Sequence, residues 1–145
     1  MKHLLAFAVL TASAVSALAG DTPSNPDAKV YFINLKDGDT VASPVKVQFG
    51  LEGMGIAPAG VEIEMTGHHH LLLDRAAFGQ TEFGEDEYDY GVAADENNIH
   101  YGKGQTETVL ELSPGEHTLQ LVLGDAFHIP HDPPIVSDMI TIVVE

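Results

Sequence analysis

Apolar and polar residues alternate with a period of two along most of the chain. Val45, Val47 and Phe49 alternate with Lys46 and Gln48, a pattern typical of a β-strand with one buried face. The same reasoning predicts strands at 30–35, 61–65, around 71–73, 109–112, 118–123 and 140–144. After residue 19, no stretch of ten residues shows a convincing helical period, so the pattern predicts an all-β protein.

The segments between these predicted strands are rich in turn-forming residues. They include Asp37-Gly38, Ser43-Pro44, Pro58-Ala59-Gly60, Pro114-Gly115 and Pro133-Pro134. About seven short strands at this spacing predict an immunoglobulin-like antiparallel β-sandwich. We expect residues 29–145 to form this domain and to include a long acidic loop at about 76–98.

The first 19 residues have the pattern of a cleavable signal peptide. Met1-Lys2-His3 is a positive start, 4–18 is apolar or small, and Ala17-Leu18-Ala19 is typical of a cleavage site before Gly20. The alternative is an uncleaved membrane anchor, but the run is short for a span of about 20 residues. We expect a periplasmic or secreted protein without membrane insertion after cleavage, and a mobile leader at 20–28.

Charge and cysteine content narrow the function classes. The chain has 22 acidic and 6 basic residues, a net charge of −16, and no cysteine. This charge repels nucleic acid and attracts cations, so nucleic-acid binding is not expected. Disulfides and thiolate metal ligands are excluded. The acidic loop is interpreted as solvated surface, with a calcium site as the alternative, although it lacks the ligand spacing of an EF-hand.

The histidines are the chief candidate functional residues. Seven of the eight follow residue 19, and five of these fall in two short clusters. In an extended segment alternate side chains share a face, so His68 and His70 point one way. His69 would face the core with Leu71 and Leu73.

The second cluster contains His128 and His131 in a loop with several prolines. Loops at one end of a sandwich gather residues that are distant in sequence, and His100 lies at the far side of the acidic loop. We therefore predict a metal site whose ligands are His68, His70, His100, His128 and His131. His117 is predicted to be a buried structural residue.

An imidazole-rich site without cysteine suits copper first and zinc as the alternative. Met54 and Met65 are candidate soft ligands, with ordinary packing as the alternative. The sequence thus predicts an exported metal-binding protein for copper buffering or delivery. The contrasting hypothesis is a non-catalytic interaction or structural module of the cell envelope with a partner protein. No hydrolase or phosphate-binding motif is present, so we expect no enzyme, and a metal-dependent redox activity is the third hypothesis.

Several motifs stand out along the chain: Gly53–Gly60, Thr66-Gly-His-His-His-Leu-Leu-Leu-Asp74, His100–Glu107, Gly115–Leu121 and His128-Ile-Pro-His-Asp-Pro-Pro134. Together they resemble one bacterial exported family, catalogued as domain of unknown function 4399. The resemblance covers residues 30–144 and departs mainly at 79–94. The resemblance implies a single-domain exported bacterial protein, and it does not imply a catalysed reaction.

Overall fold

A computed structural model describes Gly20 and residues 22–145. The predicted signal peptide, residues 1–19, lies outside the described residues. The described part of the chain contains nine β-strands and one short 3-10 helix, Gly84–Asp89. The strands are β1 (Lys29–Phe32), β2 (Thr40–Val41), β3 (Val45–Glu52), β4 (Gly55–Ile56), β5 (Thr66–Leu73), β6 (Asn98–His100), β7 (Glu107–Leu110), β8 (Gly115–Gly124) and β9 (Ile140–Val144).

The strands form two sheets, which confirms the predicted all-β sandwich. The smaller sheet has the order β1-β3-β7, and the larger has the order β2-β9-β8-β5-β4 with β6 also paired to β5. Most pairs are antiparallel, but β2 pairs in parallel with β9 and β4 in parallel with β5. The sequence did not predict β2, β4 or β6, because two or three residues are too few to show a period.

The main core lies between the two sheets. Its fully buried members include Val47 of the small sheet and Leu71, Leu121 and Ile142 of the large one. Alternation along β8 sends Leu119, Leu121 and Leu123 into this core. Burial of such side chains stabilises a fold by roughly 1.5–3 kcal/mol each, so the core accounts for the placement of the long strands β3, β5 and β8.

The opposite face of the large sheet is covered as well. A second apolar cluster joins Leu72 of β5 and Val122 of β8 to Phe78 and Val92 of the acidic segment. Within this segment, defined here as residues 76–98, the Glu87 carboxylate accepts hydrogen bonds from Gly79 N and from the Arg75 side chain. The segment therefore packs on the sheet, unlike the solvated surface expected from its charge. Its apolar residues Phe78 and Val92 hold it against the sheet.

The predicted strand at 61–65 is wrong. These residues follow a turn at 59–60, lie in no strand and are all exposed. The alternation of Val61, Ile63 and Met65 with Glu62 and Glu64 is typical of a half-buried strand, but no strand of the described residues pairs with it.

The leader expected to be mobile is hydrogen-bonded to the second histidine loop. Pro23 bridges Asp132 in parallel, and Ser24 N donates to Asp132 O at 3.1 Å. The Thr22 hydroxyl donates to Asp125 Oδ2 at 2.6 Å. Polar residues of the leader thus satisfy backbone and carboxylate groups of that loop. Among the residues described, no helix is long and apolar enough to cross a membrane.

Candidate metal centre

Three imidazole nitrogens meet on the covered face of the large sheet. His68 Nε2 lies 3.0 Å from His70 Nε2 and 3.1 Å from His100 Nε2. The three residues form the one group of the described chain whose candidate ligand atoms all lie within 4.8 Å of one another. Two ligands at about 2.0–2.1 Å from one ion are about 2.9 Å apart at a right angle and about 3.4 Å apart at a tetrahedral angle. The distances from His68 Nε2 to the other two Nε2 atoms, 3.0 and 3.1 Å, lie between these two values.

Strand geometry produces this arrangement. His68 and His70 are two residues apart on β5, so they share a face. His100 of β6 is the register partner of His70, and paired residues of neighbouring strands point to the same side of the sheet. The face is the one predicted for His68 and His70, but both side chains are 0% exposed, because the acidic segment and the loop after β8 cover it.

Two glycines leave room for the rings. Gly124 is the register partner of His68, and a Cβ there would lie 2.9 Å from His70 Nε2. A Cβ at Gly102 would overlap the His100 ring. Neither contact is compatible with a larger side chain unless the imidazoles move, so both glycines are part of the site.

Burial keeps the histidines of the centre neutral. Burial first, and the charges of the neighbouring histidines after it, lower the pKa of His68 to about 4 and that of His70 to about 2. The pKa of His100 is also lowered, by burial and then by His128. A neutral imidazole offers the lone pair that a metal ion needs, so these histidines could act as ligands at neutral pH.

Hydrogen bonding alone does not satisfy these rings. A neutral imidazole nitrogen either donates one proton or accepts through one lone pair. His68 Nε2 can therefore form a good hydrogen bond with only one of its two close neighbours, His70 Nε2 and His100 Nε2. Within the described residues, Nδ1 of His68 and Nδ1 of His70 are buried without a partner. Orphaned buried polar atoms of this kind are rare, and each of them costs stability.

His128 lies in the loop that follows β8, and its ring packs against the other three histidine rings. Its ring centroid lies 4.6 Å from that of His100, and its ring stands edge-on to His68 at 5.1 Å. The backbone of His128 has φ of 72°, a conformation that is uncommon for residues other than glycine. Asp125 O accepts from His128 N, and His128 O accepts from Val92 N at 2.8 Å, so bonds on both sides hold this strained residue over the other three.

His131, the fifth predicted ligand, does not join the cluster. It is buried, and its Nε2 lies 3.1 Å from the carbonyl oxygen of Thr66. The spacing of three residues would bring His128 and His131 together on a helical turn. Here Asp125 to Ile129 form a tight turn, and Pro130 then bridges Gly124, which separates the two side chains.

The remaining candidates also lie elsewhere. Met54 packs against the main core, and Met65 is exposed. His69 points into the sandwich, where its ring centroid is 5.1 Å from that of Phe49. This agrees with the predicted core-facing phase of His69.

His117 is the structural histidine that the sequence predicted. Its Nδ1 lies 2.7 Å from Asp74 Oδ2 and its Nε2 lies 2.8 Å from Ser113 O. Both partners are acceptors, so both bonds require the doubly protonated ring. The pKa of His117 is raised accordingly, first by the Ser113 carbonyl and then by Asp74.

His117→Gln is therefore expected to destabilise the protein by about 1–2 kcal/mol below pH 6.5. A raised folded-state pKa gives stability that is present below the unfolded pKa and is lost as pH rises through the folded one. The difference from wild type should shrink above that pKa. Urea unfolding at mildly acidic and at alkaline pH measures both values, and an equal difference at the two would contradict the charged pair.

The comparisons with known proteins agree with the motif resemblance. A family model described as Domain of unknown function (DUF4399) matches residues 47–145. This range includes His68, His70, His100 and His128. A search of curated proteins found no match, and a search of solved structures found none. Since the family model covers more than half of the sequence, the chain belongs to the DUF4399 family.

Proposed function

We propose that this protein binds a transition metal ion through His68, His70 and His100, with His128 as the completing ligand. The observation that carries the proposal is that the Nε2 atoms of two buried histidines and one half-buried histidine meet at ligand-to-ligand spacing. One ion accepts all three lone pairs at once, which hydrogen bonds among three neutral imidazoles do not do.

Copper is the preferred ion in this proposal, and zinc is the alternative. The ligand set is imidazole alone, since the sequence has no cysteine and neither candidate methionine lies at the cluster. Affinity of nitrogen sites for divalent ions generally peaks at copper. Three imidazoles leave a coordination position for His128.

Buffering or delivery fits the surroundings of the site better than permanent retention of the ion. Ligating histidines usually donate their second nitrogen to an outer partner, which is worth about 10–100-fold in affinity. Among the described residues, His68 and His70 have no such partner. His100 and His128 are half-buried, so an ion could enter and leave on their side. We place the protein outside the cytoplasm, on the strength of its first 19 residues.

Titration of the purified, metal-stripped mature protein tests the proposal. We expect one-to-one, submicromolar binding of Cu(I) or Cu(II), with Zn(II) measured beside them. His68→Ala/His70→Ala should weaken binding by at least about a hundredfold. His100→Gln, on the half-buried β6, provides a second ligand variant in case the double variant does not fold.

His131→Gln is the matched control because it removes an imidazole outside the cluster. It should bind the ion as wild type does. The proposal fails if wild type binds no tighter than micromolar or if the ligand variants bind equally well. A loss of binding in His131→Gln as well as in the ligand variants would restore the five-residue ligand set predicted from the sequence.

A further inference from the structure

Residues 61–65 form an exposed segment with the composition of a half-buried strand. Val61 is 40% exposed, Ile63 58% and Met65 48%. Glu62 and Glu64, which alternate with them, are exposed too. Regular alternation is typical of a segment with one face covered, and the described chain supplies no cover for this one.

Phe127 extends the same surface. It is 60% exposed, and it lines with Val61 and Ile63 a cleft of about 210 Å³ whose wall includes Thr22 and Asp125. We call Val61, Ile63 and Phe127 the apolar patch. Contiguous exposed apolar side chains mark interaction sites more often than singly scattered ones do.

Hydrogen bonds fix the patch in place. Gly60 N donates to Ala126 O at 2.8 Å, which ties the start of the segment to the loop of Phe127. The Thr66 hydroxyl donates to Ile63 O at 2.7 Å, which ties its end to β5. A surface held in one conformation costs little ordering on binding.

The charge around the patch selects the partner. Glu62 and Glu64 line the cleft between the apolar residues, and the whole chain carries a net charge of −16. A second copy of the chain would bring the same charge to the interface, which is unfavourable. A protein that presents apolar side chains flanked by lysine or arginine is complementary in both respects.

We propose that the apolar patch is the docking surface for a basic protein partner with an apolar segment. The proposal goes beyond metal binding and does not depend on it. Phe127 immediately precedes His128 in the chain, so a docked partner would contact the loop that closes the histidine cluster.

The test uses a synthetic peptide of alternating lysine and valine, titrated into the isotope-labelled mature protein and followed by NMR. We expect a dissociation constant below about 1 mM, with shifts confined to residues 61–65 and 125–128. Ile63→Ser/Phe127→Ser should weaken binding at least about tenfold. Both side chains are exposed, so the variant should fold and bind metal as wild type does, a result that separates this proposal from the metal site.

The controls isolate each part of the chemistry. Phe83→Ser/Tyr90→Ser removes two exposed aromatic rings of the acidic segment and should leave binding unchanged. A peptide with serine in place of valine, or with glutamate in place of lysine, should not bind. The proposal is overturned if either control peptide binds equally well, or if the shifts lie in the acidic segment. Sedimentation that shows a dimer lost in Ile63→Ser/Phe127→Ser would assign the patch to a second copy and overturn it too.

Discussion

The metal-free protein is expected to unfold cooperatively as the pH falls from 7 to about 4. Burial lowers the pKa of His68 and of His69 from 6.5 to about 4, and that of His70 to about 2. When folding lowers a histidine pKa, the unfolded chain binds more protons than the folded chain at pH values between the two pKa values. The stability is therefore present above about pH 6.5 and is lost as pH falls toward the folded-state values.

The expected effect is large compared with the stability of an ordinary domain. For each histidine that stays neutral, the cost grows by about 1.4 kcal/mol per pH unit below 6.5, so at about pH 4 the three together cost several kcal/mol. A typical domain has roughly 5–15 kcal/mol to lose. The raised pKa of His117 acts in the opposite direction but involves a single residue.

Circular dichroism and urea unfolding at several pH values measure this loss. The variant His68→Leu/His70→Leu removes two of the three groups, so its acid transition should move to lower pH. A stability that stays constant from pH 7 to pH 4 in the metal-free wild type would contradict the buried, neutral state of these rings.

His70→Leu is expected to stabilise the metal-free protein and to weaken metal binding. The His70 ring is fully buried, and its Nδ1 has no partner in the described part of the chain. An unsatisfied buried polar atom costs about 1–3 kcal/mol, and leucine of similar size removes that cost. Loss of one of three primary ligands should weaken the metal site by at least about a hundredfold.

His117→Leu is the matched control for this experiment. The same substitution is made at a second buried imidazole, but both nitrogens of His117 have partners. It should destabilise the protein at pH 6 and leave metal affinity unchanged. If His70→Leu destabilises as His117→Leu does, then His70 has a structural role and the envelope interaction module becomes the better account of the histidines.

The sequence predicted those parts of the fold and site that depend on local periodicity. The alternation in β3, β8 and β9 located these strands. The two-residue spacing of His68 and His70 placed both on one face of β5. The structural role of His117 was predicted from its position at the start of a strand, while its contact with the Asp74 carboxylate was not.

The sequence could not predict features that depend on the register between strands or on which segments pack over the sheet. Pairing of His100 with His70 follows from the alignment of β6 against β5, and three residues contain too little pattern to fix it. The cover on this face of the large sheet includes Phe78 and Val92, which pack on Leu72 and Val122 and are two apolar residues in a segment dominated by acids. The separation of His131 from His128 depends on the turn at 125–129, and residues 61–65 show that alternation alone does not supply a pairing strand.

The histidine cluster is rigid on one side and less firmly held on the other. His68 and His70 belong to β5, which pairs with β8 along most of its length. His100 belongs to the three-residue β6, which pairs with β5 alone among the described strands, and His128 lies in a turn. Short edge strands and turns open at lower free energy than central strands do. We therefore expect metal loading to slow amide hydrogen exchange at residues 98–100 and 126–129 and to change it little at 68–72. In the proposed function, the ion would leave by local opening of this edge while the rest of the sandwich stays folded.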